Sequence, residues 1–168
     1  MGWEETSIGG ESYRQDSTMG CAFACIATAT YWRESVKKTE DYIREKLTGQ
    51  GILWEPKQDA MTGGLNIETT IKLLHSLGIK SEAIEGLSED KFLDKMKEAS
   101  PECALILGVT WSTGEKHLVV CGGPSSNGSV WICDPGLGLG ENAVSATYDR
   151  GLVKGTFDLK GIQVTGSF

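Results

Sequence analysis

The stretch His117-Leu-Val-Val-Cys-Gly-Gly-Pro-Ser-Ser-Asn-Gly-Ser-Val-Trp-Ile-Cys-Asp134-Pro-Gly136 decides how this chain folds. Its two ends, His117–Gly122 and Ser129–Asp134, are apolar runs of strand length. Pro124–Gly128 between them holds turn residues, so the whole reads as an antiparallel hairpin. Upstream, Ala104-Leu-Ile-Leu-Gly-Val-Thr110 is a continuous apolar run that reads as a central strand. Downstream, Val144, Ala146 and Tyr148 alternate, as do Phe157 and Leu159, which predicts two more strands.

The first half of the chain has a different period. Cys21 to Arg33 is Ala-rich, and Cys21, Cys25, Thr28 and Trp32 follow one another at helical spacing along one mostly buried face. Glu40–Leu47 reads as a short amphipathic helix ended by Gly49. Asn66 caps a third helix with an Ile67, Ile71, Leu74, Leu77 stripe that stops at Gly78. Ser88 caps a fourth, with Leu87 and Phe92 at the staple positions, acidic Glu89 and Asp90 in the first turn, and Leu93 and Met96 facing inward. Helices first and an antiparallel sheet second make an α+β domain. The 168 residues, 18.1 kDa, suit one domain over 1–168, with 1–14 an extended N-terminal segment.

Charge and composition narrow the function. Sixteen basic against 23 acidic residues give a net charge of −7. No Lys/Arg run interrupts that balance, which argues against a nucleic-acid partner. No apolar run is long enough to span a bilayer, and no secretory signal region is visible at Met1-Gly-Trp-Glu-Glu5. The five cysteines, 21, 25, 103, 121 and 133, are odd in number and scattered, which argues for reduced thiols over a disulfide framework.

Chemistry concentrates on four residues. Cys21 opens the first helix, where unpaired backbone N–H groups and the helix dipole favour a thiolate. The plainer alternative is a small core residue. His117 opens its strand beside the polar loop Ser112–Lys116, a position where an imidazole stays reachable as a base. The midpoint between His117 and Asp134 falls between Ser125 and Ser126, inside the turn. Simple antiparallel pairing therefore sets Asp134 across from His117, where a carboxylate fixes the tautomer and stabilises the imidazolium. Gln15, six residues before Cys21, supplies a side-chain amide for an oxyanion. Gly63 and Gly64, before the third helix, would let a peptide lie along the backbone, and Trp111 and Trp131 would wall a cleft. Both features have structural alternatives: a loop feeding the Asn66 cap, and buried core. No metal site is expected: Cys21 and Cys25 on one helix, with no second pair or nearby His, are a poor zinc set.

Gln15-x5-Cys21, Cys21-Ala-Phe-Ala-Cys25, Leu77-Gly78, His117-Leu-Val-Val120 and Asp134-Pro-Gly-Leu-Gly138 together resemble the papain-like cysteine peptidases. Within them they are most similar to the bacteriocin-processing, double-glycine type, over roughly residues 13–140, and stand-alone bacterial effector proteases match nearly as well. The resemblance implies a papain-like fold, with Cys21 as nucleophile, His117 as base, Asp134 as its orienting partner, Gln15 in the oxyanion hole and Cys25 as packing. It implies a peptide or protein substrate, no cofactor, and a location in the cytoplasm or outside the cell as an effector exported without a cleavable signal. Two features depart from the pattern. Gly20 stands where the family often has an acidic residue, and a fused transporter domain is not expected. Transglutaminase-like transfer or deamidation, a cell-wall amidase on a similar triad, and an inactive peptide-binding domain are the alternative functions.

Overall fold

Residues 21–34 carry Ala, Cys, Phe and Ile on every side, and a helix apolar all round belongs in the middle of a protein. In the computed structural model, which describes residues 2–16, 21–51, 67–151 and 153–168, α1 (Cys21–Glu34) has that place. Its residues from Cys21 to Thr30, and Trp32, are all buried, not one face of them. One side of α1 meets an N-terminal hairpin, β1 (Gly2–Glu5) and β2 (Glu11–Arg14). There the Tyr13 N–H donates to Thr28 Oγ1 at 2.9 Å and Trp32 Nε1–H to the Glu11 carbonyl at 2.8 Å. The expected extended segment at 1–14 is thus folded back on itself, because pairing satisfies backbone groups that a lone strand would leave to water.

Three more helices follow, α2 (Glu40–Gly49), α3 (Ile67–Ser76) and α4 (Glu89–Glu98). Thr39 caps α2 through a 3.1 Å bond from Tyr42 N–H, and Ser88 caps α4 through one of 3.3 Å from Lys91 N–H. The expected Asn66 cap lies outside the described residues.

The remaining strands are β3 (Ile79–Ile84), β4 (Leu105–Trp111), β5 (Lys116–Pro124), β6 (Val130–Asp134), β7 (Gly138–Asn142), β8 (Thr147–Asp149) and β9 (Lys154–Ser167). They form one antiparallel sheet in the order β3-β9-β4-β5-β6-β7, with β8 pairing β9 beside this path. Helices α1 to α3 pack on one face over Ile106, Val120, Cys133 and Ile162. The other face holds Val109, Val119, Ile132, Tyr148 and Phe157, with Phe92 and Met96 of α4 against them. The α+β expectation holds: helices lead, an antiparallel sheet follows, and Cys21 begins the central helix.

One irregularity in this sheet positions the site. Between β5 and β6, Pro124 pairs Val130 and Gly123 pairs Trp131, but beyond the extra residue Gly122 the register steps, so that Cys121 pairs Ile132 and Val120 pairs Cys133. Gly122 is a β-bulge. Continuing the stepped register sets Asp134 beside Val119, not across from His117 as simple pairing would have it. His117 itself pairs Val109 of β4. Residues two apart on a strand share a face, so His117 and Asp134 are diagonal neighbours on one side of the sheet.

Gly123 holds the bulge with φ of +93°, and a Cβ there would stand 2.0 Å from the Ala99 carbonyl oxygen. Gly123→Ala combines left-handed strain with a backbone clash and should cost about 3 kcal/mol. For a domain of this size that lowers Tm by about 10 °C, measurable by scanning calorimetry.

Candidate active site

Asp134 ends β6, and Pro135 and Gly136 turn the chain into β7. The carboxylate is 1% exposed, and four donors meet it. Oδ1 accepts from the Gly136 N–H at 2.7 Å, the Leu137 N–H at 3.2 Å and His117 Nε2 at 3.0 Å. Oδ2 accepts from the Tyr148 hydroxyl at 2.7 Å. Burial alone raises the carboxyl's pKa. The His117 bond and charge, the Tyr148 hydroxyl and the Gly136 N–H outweigh it, and the group sits below the ordinary carboxylate value. Asp134 is therefore an anion near neutral pH and only accepts. That assigns the proton of neutral His117 to Nε2 and leaves the Nδ1 lone pair as the basic atom.

His117 stands at the mouth of β5 with its imidazole 13% exposed. Trp111, at the end of β4, stacks on it with centroids 5.1 Å apart and planes 28° from parallel. The same indole stacks on Tyr148 at 5.6 Å and 28°. Trp111, expected as a cleft wall, is half-buried and backs the histidine. Trp131 lines an open groove of about 370 Å³ together with Glu4, Glu5, Leu137 and Leu139.

The N-terminal hairpin delivers Gln15 to this corner. Its backbone N–H donates to the Pro135 carbonyl at 2.9 Å, and Arg14 Nη2 donates to the Gly136 carbonyl at 2.5 Å. A Cβ built on Gly136 would lie 3.4 Å from Asp134 Oδ1 and 3.8 Å from Gln15 Oε1, so the carboxamide and the carboxylate border the same glycine. The next residue is fastened from the other side. The Asp16 N–H donates to Oε1 of buried Glu40 at 3.0 Å, Glu40 is ion-paired to Arg44 at 3.2 Å, and the Tyr13 hydroxyl bonds Asp16.

Six residues after Gln15, Cys21 is the first residue of α1 and 1% exposed. No acidic residue occupies the first turn to oppose a thiolate, and α1 packs along β5, the strand of His117. Gly63 and Gly64 lie outside the described residues. The geometry thus joins His117 directly to Asp134 and Trp111, borders them with Gln15 through Pro135 and Gly136, and places Cys21 at the start of the helix that packs along the strand of His117.

The other cysteines are of a different kind. Burial pushes the Cys121 thiol up to about 12 and the Cys133 thiol up to about 11, and Cys25 is fully buried. Cys103 is half-buried, 3.9 Å from Arg33 Nη1. His75 is exposed, with Phe168 edge-on to its ring at 5.1 Å. Among the described residues no three His, Cys, Asp or Glu side chains gather as a metal site, and no helix is long and apolar enough to cross a membrane. Sequence reasoning missed Arg14 and Tyr148 as contributors. Tyr148 carried only the alternation of a strand, and Arg14 carried no signal at all.

The fold is shared with a double glycine motif protease from an AMS/PCAT transporter, solved in complex with the leader peptide: TM-score 0.51, 14% identity, 97% of this chain and 92% of that one. The Pseudomonas avirulence protein AvrPphB aligns with a TM-score of 0.36 and 8% identity, over 87% of this chain and 81% of its own. No curated protein matches. Residues 4–149, most of the chain and all four of the residues singled out for chemistry, match the family described as papain-like cysteine protease AvrRpt2. To that family of cysteine peptidases the chain belongs.

Proposed function

We propose that this peptidase cleaves peptide bonds in a peptide or protein substrate through Cys21, His117 and Asp134, with Gln15 holding the oxyanion. The observation that carries the reading is the buried Asp134 carboxylate 3.0 Å from His117 Nε2, which commits that nitrogen and turns Nδ1 into the base. The Cys21 thiolate attacks the scissile carbonyl, and the oxyanion rests on the Gln15 carboxamide and the Cys21 N–H. His117 Nδ1–H passes its proton to the amine as the C–N bond breaks, leaving a thioester on Cys21. Nδ1 then takes a proton from water, whose hydroxide attacks the thioester. The acid product departs, and the thiolate–imidazolium pair returns. Asp134 keeps its charge throughout and stabilises the imidazolium.

The double glycine motif protease that shares the fold holds a leader peptide, and a peptide segment is the substrate proposed for this chain too. A reducing compartment such as the cytoplasm keeps the nucleophile in its thiol form.

Alkylation tests the nucleophile. Treated briefly with iodoacetamide near neutral pH and mapped by mass spectrometry, Cys21 should carry the label first and half-buried Cys103 second. Cys25, Cys121 and Cys133 should stay unlabelled. His117→Ala should slow the labelling of Cys21 alone. If Cys21 reacts no faster than Cys103, and His117→Ala changes nothing, the proposal fails. Peptides with and without a Gly-Gly site, with and without an added amine, then separate processing from general proteolysis and hydrolysis from transfer.

A further inference from the structure

Strand β8 is three residues long and sends one fully buried side chain, Tyr148, into the sheet. Its hydroxyl reaches Asp134 Oδ2, the oxygen that His117, Gly136 and Leu137 do not use. A carboxylate held at both oxygens from different directions does not turn about its last torsion. Arg150 Nη1 donates to the same hydroxyl at 3.3 Å and to the Gly138 carbonyl at 3.0 Å, so a cation faces the phenol oxygen and its proton points at Asp134. Burial, with the Asp134 charge beside it, raises the Tyr148 pKa and keeps that proton in place.

The aromatic arrangement has its own cause. Gly155 of β9 pairs Trp111 on one side and Tyr148 on the other. A Cβ on Gly155 would lie 2.7 Å from the Thr110 carbonyl oxygen and 3.0 Å from the Trp111 ring. Only without a side chain there do the two rings close over the strand and stack, with Trp111 continuing onto His117.

We propose that Tyr148 is a positioning residue for the peptidase reaction, fixing the Asp134 carboxylate through Oδ2 and, by way of Trp111, the plane of the His117 ring. The inference rests on the triad reading given above. The charged and titratable groups around Asp134 are His117 from β5, the neighbouring Cys133 thiol of β6, Tyr148 and Arg150 from β8 and its exit, and the Arg14–Glu4 pair of the N-terminal hairpin.

Tyr148→Phe keeps the ring, its stacking and its burial, and removes one donor. Oδ2 then lies buried and short of a hydrogen bond, so Asp134 takes up a proton more readily as pH falls. A hydrogen bond to a buried charge corresponds to about one pH unit, so the acid limb of kcat/KM should move up by about that much. With the carboxylate less firmly held, kcat should fall about tenfold while KM stays within about twofold.

A second readout needs no activity. The chain has two histidines, one of them exposed His75, so the hydrogen-bonded Nε2–H of His117 is readily assigned by proton NMR in Cys21→Ala protein. Adding Tyr148→Phe should move that resonance and speed its exchange with water. Both measurements are made well below the variant's melting temperature. A lower Tm with kcat, acid limb and resonance unchanged would mean a purely structural tyrosine and overturns the proposal. Turnover surviving in Cys21→Ala or His117→Ala would instead overturn the triad reading beneath it.

Discussion

Cys21→Ala should leave no peptide hydrolysis above background. The reaction as drawn passes through a thioester on that sulfur, and no neighbouring residue replaces it: Cys25 is buried within α1, and burial holds Cys121 and Cys133 as thiols. The loss is on the order of a millionfold in kcat, and His117→Ala should match it, because nucleophile and base act as one unit. Gln15→Ala belongs to a different class. It removes one oxyanion donor of two and should cost on the order of a hundredfold. A fluorogenic peptide assay, with each variant's folding checked by circular dichroism, resolves the series. Equal losses at Gln15 and Cys21 would place Gln15 in the fold, not in the oxyanion hole.

Asp134→Ala should be the most damaging single change to activity and stability together. It takes the acceptor from the Gly136 and Leu137 N–H groups, the Tyr148 hydroxyl and His117 Nε2 at once, at a carboxylate only 1% exposed. We expect about a thousandfold loss in kcat from the unfixed tautomer and about 3 to 5 kcal/mol of lost stability. The stability effect depends on pH with a definite sign. The folded-state pKa of Asp134 is depressed, so its contribution is fully present above the unfolded value of about 3.9 and fades as pH falls through the folded value. Urea titrations of parent and variant should therefore differ widely at neutral pH and converge in acid. A gap that stays constant down to the folded pKa would mean that packing, not charge, accounts for the loss.

The sequence carried the outline of the fold because its strongest signals are local. Ala-rich α1, the Ser88 cap of α4 and the apolar runs of β4, β5 and β6 lie close to where periodicity puts them. Besides the N-terminal hairpin, two strands of the large sheet escaped it. Gly138-Leu-Gly-Glu-Asn142 has almost no intrinsic strand preference and becomes β7 because it meets the edge of β6. Ile79–Ile84 is buried only at positions 79, 81 and 84, a broken alternation that a search for strand periodicity passes over. Strand β9 is continuous over 14 residues, with Leu159 at φ of +59° and a bulge against β4, and only Phe157 and Leu159 showed in the sequence as a strand. The residues proposed for catalysis were legible by type and order, because a nucleophile, a base and an orienting acid need particular chemistry. Their partners were not. Tyr148, and Trp111 in its role behind His117 beyond that of a cleft wall, reach the site through ring stacking across three strands, and no spacing along the chain records that.

The Gly122 bulge makes the active site a matter of counting. Were the β5–β6 ladder regular from Pro124 onward, Asp134 would stand beside Val120, and the carboxylate and the imidazole would point to opposite faces of the sheet. The loop at Ser125–Ser129 can lengthen or shorten without changing that count, whereas one residue gained or lost within β5 inverts it. A graft of these two side chains onto an unbulged hairpin that keeps the Pro124–Val130 pairing would reproduce the residues and lose the pair. What such a transplant has to carry is the flaw in the ladder.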